Sequence, residues 1–242
     1  MADSTRSIGF LAAVVLALGF AAGGIGVGKG LERFRAADRS VTVKGLAEKD
    51  VEADYAVWPL GFRRAGTDFG VVQRALAEDR DRVVGFLKGQ GFVDAEIEVR
   101  PLQVQDLYAR EYGGNQPLRF QGTGQVLVKS AKPTAVEAAA LAVDPLIQSG
   151  VQLAGANDGP AGPRYQLRGF NEVKAPLLAE ATRHAREQAQ KFAAEAGATL
   201  GHLRSANQGV IQIGAGDREG FDDGSARVKR LRVVSTFTYA LE

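Results

Sequence analysis

The sequence predicts an α+β protein, in which an N-terminal transmembrane helix precedes a domain of largely antiparallel strands packed against long helices. Residues 8–28 contain no charged side chain, and about 20 apolar residues span the hydrocarbon core of a bilayer. Beyond them, segments with alternating apolar side chains are interspersed with segments of helical period. Strand pairs with short links beside long helices favour an antiparallel sheet over a doubly wound parallel one.

The composition excludes several classes of protein. With 45% hydrophobic and 24% charged residues, the chain has the balance of a folded globular protein rather than a disordered one. Its 30 Lys and Arg residues and 28 Asp and Glu residues are mixed along the chain, so no nucleic-acid partner is expected. The absence of cysteine excludes disulfides, thiolate metal sites and cysteine nucleophiles.

Residues 1–35 are predicted as the membrane anchor and residues 36–242 as the domain. Arg6 precedes the apolar run, and Lys29 and Arg33 follow it. A retained helix would make this a single-pass protein of the inner (cytoplasmic) membrane, in contact with the bilayer through residues 8–28. The alternative is a secretory signal, because residues 21–24 are small enough to form a cleavage site.

Glycines in this segment have two interpretations. Gly19 and Gly23 stand four residues apart, as do Gly24 and Gly28, and this spacing lets membrane helices pack closely. Small residues near a cleavage site explain them equally well. Residues 23–30 nearly match the phosphate loop GxxxxGK[ST], but glycine replaces the required Ser or Thr. No nucleotide partner is therefore expected.

The first half of the domain begins with two alternating segments, residues 39–46 and 55–63. They predict a hairpin that turns at residues 48–51, and Pro59 predicts that the second strand lies at an edge or a bulge. Helical spacing then predicts an amphipathic helix, and alternation predicts two further strands. This helix covers residues 67–89, and its predicted apolar stripe is Phe69, Val72, Leu76, Val83 and Leu87. The strands cover residues 96–104 and 120–128, joined by a loop at 112–117.

The second half begins at Pro133, which is suited to the first turn of a helix predicted to run through Ile147. A second helix, over residues 175–196, has small residues on its apolar stripe, which predicts close packing against a sheet. The stripe comprises Leu178, Ala181, Ala185, Ala189, Phe192 and Ala196. Strands are predicted at residues 165–170, 203–213 and 227–239, with glycine-rich loops at 155–163 and 214–226.

No arrangement of residues marks a catalytic site. His184 and His202 are the two histidines, and they fall on a polar helix face and at a turn. Neither a GxSxG nor an SxxK motif is present. The protein is therefore expected not to be an enzyme and to use no cofactor and no metal.

The last strand carries a basic cluster. Its members are Arg227, Lys229, Arg230 and Arg232. A solvated strand face is one interpretation. Because acidic residues precede the cluster in the chain, ion pairs within the chain or with another subunit are the alternatives. We take contacts between subunits as the hypothesis.

Three stretches of the domain resemble the SIMPL-domain family, which includes bacterial periplasmic immunogenic and oxidative-stress-defence proteins. Residues 40–60 read SVTVKGLAEKDVEADYAVWPL, and residues 179–212 contain AEATRHAREQA followed by RSANQGV. Residues 230–239 read RLRVVSTFTY. The resemblance extends from about residue 39 to the end of the chain. It implies an α+β domain, export to the periplasm and assembly into ring-like or barrel-like oligomers, with no established catalytic activity.

The predicted function follows from the anchor and the resemblance. We expect a membrane-anchored envelope protein that assembles into a homo-oligomer and has a structural or stress-tolerance role. The resemblance implies that the domain lies in the periplasm, whereas the basic residues after the apolar segment favour the cytoplasmic side. A ligand-binding or metal-binding periplasmic module that uses loops 155–163 and 214–226 is the alternative. A hydrolase or redox enzyme based on the histidines is the weakest hypothesis.

Overall fold

The computed structural model describes residues 39–109, 117–154, 162–217 and 220–242, together with residues 19 and 23–25. The described part of residues 39–242 contains four α-helices: α1 (Phe69–Gly89), α2 (Pro133–Leu141), α3 (Asp144–Gln148) and α4 (Phe170–Glu195). The strands of the same residues are β1 (Ser40–Glu52), β2 (Tyr55–Gly66), β3 (Ile97–Val99), β4 (Gln103–Asp106), β5 (Phe120–Ser130), β6 (Leu153–Ala154), β7 (Arg164–Gln166), β8 (Leu200–Asn207), β9 (Ile211–Ala215) and β10 (Val228–Leu241).

The described residues form two compact units. The first unit comprises residues 39–47, 178–210 and 233–242, and the second comprises residues 48–177 and 211–232. The boundaries fall within β1, α4 and β10, so each of these elements contributes residues to both units. Each unit has a hydrophobic cluster of its own.

The core of the first unit depends on small side chains of α4. Ala185 and Ala189 are fully buried and pack in one cluster with Val43 of β1 and with Phe237 and Tyr239 of β10. The alanine stripe is thus confirmed in its middle. At both ends the register differs. Leu177 is buried rather than the predicted Leu178, and Ala193 is buried where Phe192 and Ala196 were predicted. Phe192 is exposed. Ala193 lies four positions after Ala189, so it fits the helical period as well as Phe192 and Ala196 do.

Gly45 marks the closest approach of β1 to α4. A Cβ atom at this position would lie 1.9 Å from the carbonyl oxygen of Ala181 and 2.9 Å from the Cβ of Ala185. A backbone carbonyl cannot move aside as a flexible side chain can. Only glycine therefore permits this separation between the strand and the helix.

We predict that Gly45→Ala lowers the free energy of unfolding by about 2–3 kcal/mol, because the added methyl group forces β1 away from α4. Gly85→Ala is the matched control, since Gly85 lies within α1 and nothing stands within 4 Å of its added Cβ. That change should raise stability by about 1 kcal/mol. Urea unfolding measures both, and equal effects would contradict the close packing at Gly45.

The second unit is organised by the antiparallel pairing of β2 with β5. Their register runs without a break from Ala56↔Ser130 to Gly66↔Phe120. Further strands extend this sheet in the order β3-β5-β2-β6, with β4 beside β5 and β7 beside β2. Helix α1 covers the sheet with its apolar stripe, which was predicted from its spacing and is confirmed as Val72, Leu76, Val83 and Leu87.

Asp79 is a buried carboxylate on the same face of α1. It receives two hydrogen bonds from Arg64 of β2, one of them from Nη2 at 2.7 Å, and Arg82 lies 3.1 Å away. Arg64 also donates to the carbonyl oxygen of Gly150 at 2.8 Å. A buried charge is tolerated only when it is paired, so this ion pair fixes α1 on β2.

We predict that Asp79→Asn lowers the free energy of unfolding by about 2–3 kcal/mol, because the guanidinium of Arg64 loses its buried counter-ion. Asp81→Asn on the same helix is the control. Asp81 pairs with Arg80 at an exposed site, and such pairs contribute less than about 1 kcal/mol. A similar loss for both variants would show that burial of the carboxylate is not decisive.

The predicted hairpin of β1 and β2 is wrong. β1 pairs with β10, whereas β2 pairs with β5, so the two strands belong to different sheets. The amide of Ala53 donates to the carbonyl of Arg227, and that of Asp54 donates to the carbonyl of Gln166. Each linking residue is thus bonded to a distant part of the chain, which adjacency in sequence does not reveal.

Pro59 also lies in a different setting from the one predicted. β2 is an inner strand, with β5 on one side and with β7 and β6 on the other. On that second side, β7 pairs with residues 55–57 and β6 with residues 61–62. Pro59 stands between these two pairings, where its missing N–H breaks no ladder hydrogen bond.

Several element boundaries differ from the prediction because proline or glycine interrupts a segment. The helix predicted from Pro133 to Ile147 is divided into α2 and α3, and the second of these has Pro145 in its first turn. The strand at residues 96–104 is two strands, on either side of Pro101. The strand at residues 203–213 is also two strands. α4 begins at Phe170, and Pro176 lies inside it, where proline removes one backbone hydrogen bond of the helix.

The predicted fold class is wrong in one respect, the transmembrane helix before the domain. No helix within the described residues is long and apolar enough to cross a membrane. The described residues of this segment, 19 and 23–25, are helical, but they are far fewer than the roughly 20 that cross a bilayer. Apart from residues 19 and 23–25, this segment lies outside the described residues, as does Gly28. The class is therefore corrected to α+β, with antiparallel sheets and helices.

Candidate interaction surface

The basic cluster at the start of β10 forms ion pairs within its own chain. Arg227, which directly precedes β10, and two arginines of β10 face three acidic residues that alternate along the end of β1. The pairs are Arg232 Nε to Glu48 Oε1 at 3.3 Å, Arg230 Nε to Asp50 Oδ1 at 2.8 Å and Arg227 Nη1 to Glu52 Oε1 at 3.0 Å. Arg227 also contacts Glu137 of α2 at 3.1 Å. Any contact with another subunit would have to compete with these pairs.

Lys229, the fourth member of the predicted cluster, points to the opposite side of β10. Its side chain is 1% exposed, and its Nζ lies 2.6 Å from Oδ2 of Asp222. An ammonium group so deeply buried requires a charged partner. Lys229 therefore anchors the loop that precedes β10. Contacts of these four basic residues with another subunit stay a prediction.

The packing of membrane helices through Gly19, Gly23, Gly24 and Gly28 also stays a prediction, because nothing in the described residues tests it.

The ion pairs on β1 and β10 are expected to depend on pH. The hydrogen bond from Arg230 lowers the pKa of the Asp50 carboxyl below its ordinary value. A lowered pKa in the folded state means that the pair stabilises the fold above the ordinary aspartate value of about 3.9. This contribution is lost as the pH falls through the lower folded-state pKa.

We predict that Arg230→Gln raises the pKa of Asp50 towards its ordinary value, because the hydrogen bond from the guanidinium is lost. A titration followed by the NMR shift of the Asp50 carboxyl carbon measures it. Arg183→Gln, which removes the partner of Glu187 instead, is the control and should leave Asp50 unchanged. An unaltered Asp50 pKa in Arg230→Gln would show that the pair does not persist in solution.

The loops considered for ligand or metal binding provide little geometry for either. Residues 155–161 of the first loop lie outside the described residues. In the second loop, Asp222 binds Lys229, and Asp223 accepts hydrogen bonds from the amide and hydroxyl of Ser225. Throughout the described ranges, no group of three or more His, Asp or Glu side chains is arranged to hold a metal ion.

His184 has hydrogen-bond partners on both ring nitrogens. Its Nδ1 lies 2.8 Å from the carbonyl oxygen of Leu46, and its Nε2 lies 3.0 Å from Nη2 of Arg183. Because arginine can only donate, Nε2 accepts and Nδ1 carries the proton. This arrangement assigns His184 to the contact between α4 and β1 within the first unit. His202 lies on β8 and is exposed.

One edge of the first unit's sheet is formed by β8. Among the residues that the structure describes, β8 pairs with β10 alone. The register between them shifts twice, on either side of Tyr239. Such irregularities twist a strand and disfavour the addition of another strand at the edge. The edge at β8 is therefore a weaker candidate for contact with another copy than the exposed apolar surface of the second unit.

The second unit exposes a cluster of aromatic, aliphatic and arginine side chains, which we call the aromatic patch. It comprises Phe69, Val71, Tyr108, Leu118, Arg119 and Phe120. The rings of Phe69 and Phe120 meet edge to face with centroids 5.8 Å apart. The guanidinium of Arg119 lies 5.0 Å from the ring centroid of Phe120 and 5.6 Å from that of Tyr108.

Three elements bring the aromatic patch together. Asp68 caps α1 by accepting a hydrogen bond from the amide of Val71 at 2.9 Å, which places Phe69 in the first turn. Asp106 pairs with Phe120 in the register of β4 and β5. Asp106 also binds Arg119, with Nη2 and Oδ2 2.7 Å apart, and this hydrogen bond lowers the pKa of the carboxyl. The arginine is thus held against the rings.

The aromatic patch has the composition of a protein interface. Val71 is 54% exposed and Phe69 48%, and Tyr108 and Leu118 are each 44% exposed. Aromatic residues and arginine are enriched at interface centres, and Tyr and Arg are frequent among the residues that contribute most to binding. Large exposed apolar patches on soluble proteins mark sites of interaction with other molecules.

Residues 41–231 match the family model named SIMPL, described as a protein of unknown function (DUF541). The match covers most of the chain. The protein belongs to the SIMPL family. This confirms the resemblance found in residues 40–60, 179–212 and 230–239. No curated protein matches the chain.

The aromatic patch of this SIMPL domain was not predicted from the sequence. Its members come from residues 69–71, 108 and 118–120, on either side of the loop predicted at 112–117. The concentration of Tyr108, Leu118, Arg119 and Phe120 around that turn was the available signal. Phe69 was counted as a core position because it fits the helical spacing of α1, although it lies at the exposed end of that stripe.

Proposed function

We propose that this SIMPL domain is a non-catalytic envelope protein that assembles into a ring-like or barrel-like homo-oligomer with a structural or stress-tolerance role. We place it in the periplasm, as the family resemblance implies. The proposal concerns the domain itself and involves no membrane helix. Its partner is a second copy of the chain, without nucleic acid or nucleotide.

The observation that supports this proposal most directly is the aromatic patch. Burying apolar surface stabilises an interface by roughly 25 cal/mol per Å², and the patch offers four large apolar side chains that are 44–54% exposed. The ion pair of Asp106 with Arg119 fixes one of its polar members in place. A pre-arranged side chain loses less conformational entropy on binding than a mobile one.

The oligomeric state of the full-length protein tests the proposal. We predict a mass that is a closed multiple of the 25.6 kDa subunit, measured by light scattering from about 1 µM to about 100 µM, a range that detects micromolar affinities. A mass that stops growing with concentration indicates a closed assembly, and a plateau above two subunits indicates a ring. A strictly monomeric protein over the whole range would contradict the proposed function.

A further inference from the structure

Phe221 is the most exposed large apolar side chain in the described residues, at 97%. It lies in the loop between β9 and β10. This loop is held on both sides of the phenylalanine, because Phe221 forms an antiparallel bridge with Gly214 and the next residue binds the buried ammonium of Lys229. The amide of Gly224 donates to Oδ1 of Asp222 at 2.9 Å, which closes the turn. Phe221 is therefore presented to solvent by a fixed turn rather than by a loose one.

The charge around Phe221 restricts what it can contact. Among the described residues of this loop, Asp217 and Asp223 are exposed acids, whereas the charge of Asp222 is balanced by Lys229. An acidic surface is repelled by anionic lipid headgroups, which attract basic segments instead. A protein surface with exposed aromatic rings and a cation suits this loop better. The aromatic patch has both features, and Arg119 remains 50% exposed beside Asp106.

The loop and the aromatic patch lie towards opposite ends of β2. Near the start of β2, Ala56 pairs with Tyr165, whose amide donates to the carbonyl of Gly224 at 2.7 Å. At the end of β2, Gly66 pairs with Phe120 of the patch. Residues 56 and 66 are ten positions apart, which is roughly 33 Å along a strand. One copy therefore cannot place its own Phe221 on its own patch.

We propose that Phe221 of one copy docks on the aromatic patch of the next copy, with the acidic residues of the loop facing Arg119. This inference rests on the proposed self-assembly and names the surfaces that carry it. Two different surfaces at opposite ends of one unit make a heterologous, head-to-tail contact. Repetition of such a contact closes into a ring when the rotation between copies permits it.

The ring of Phe221 supplies the anchor of this contact. Pairs of aromatic rings attract one another beyond the area that they bury, and Phe69, Tyr108 and Phe120 provide three acceptor rings. In this contact, the exposed carboxylate of Asp217 faces the guanidinium of Arg119 in the next copy. That guanidinium lies over the rings of Tyr108 and Phe120. Charge complementarity of this kind accelerates association and selects the partner.

Two single variants of the full-length chain test the contact. Phe221→Ser removes the anchor, and Arg119→Glu reverses the charge of the patch. Each is expected to weaken assembly by about 30-fold or more, the level of an interface residue that contributes most to binding. Leu141→Ser is the control, because Leu141 is 82% exposed and belongs to neither surface; its assembly should equal that of the unaltered protein.

Mixing the two variants separates a contact between loop and patch from a contact between two patches or two loops. Phe221→Ser retains an intact patch, and Arg119→Glu retains an intact loop. An equimolar mixture should therefore form one productive contact per pair and give a two-subunit species that does not grow further. Light scattering of each variant alone and of the mixture distinguishes these masses. A mixture that remains monomeric would overturn the head-to-tail contact.

Failure of this inference is distinguishable from failure of the proposed function. If the unaltered protein is monomeric, self-assembly itself is wrong. If it assembles and both variants assemble equally well, only the assigned surfaces are wrong. Should Arg119→Glu lose its folded circular dichroism spectrum because of repulsion from Asp106, Leu118→Glu replaces it as the variant of the patch. Binding of a different purified protein through Phe221, without self-association, would also overturn the proposal.

Discussion

The pairing of β2 with β5 is the interaction on which the second unit depends. Its eleven residue pairs run from Ala56↔Ser130 to Gly66↔Phe120, and the buried side chains of both strands form the centre of the larger hydrophobic cluster. Two glycines of β5 make this packing feasible. A Cβ atom at Gly124 would lie 2.3 Å from the ring of Phe62, and one at Gly122 would lie 2.3 Å from Leu76 of α1. Ring and helix therefore rest directly on the backbone of β5.

This ladder also determines where the proposed contacts lie. β5 begins at Phe120, so the aromatic patch is built at one end of the ladder, where Asp106 and Arg119 meet. Towards the other end, β7 pairs with the first residues of β2 and is hydrogen-bonded to the loop that carries Phe221. A regular antiparallel pair is stiff along its strands, so the two surfaces keep a constant separation. In the proposed ring, the second unit thus acts as a link of defined length between neighbouring copies.

Local patterns in the sequence predicted the helices better than the pairing of strands. The spacing of Val72, Leu76 and Val83 fixes both the extent of α1 and its buried face. The partner of β1 was beyond such reasoning, because Asp50 meets Arg230 from 180 positions away, and adjacent strands favour a hairpin by default. The basic cluster was found because its members are neighbours in the sequence. Its acidic partners were not found, because they lie on β1, far away in the chain. The uncharged, apolar run of residues 8–28 also predicted a membrane helix. The described residues contain no helix that could cross a membrane.

Cross-linking tests the head-to-tail assembly most directly, because the natural chain has no cysteine. The full-length variant with both Leu118→Cys and Phe221→Cys carries one thiol on each proposed surface. Mild oxidation should produce a ladder of covalent multimers that ends at the size of the closed ring. Leu118→Cys with Leu141→Cys is the matched control and should give no such ladder. A double variant that remains a single chain, or that behaves as the control does, would contradict the head-to-tail account.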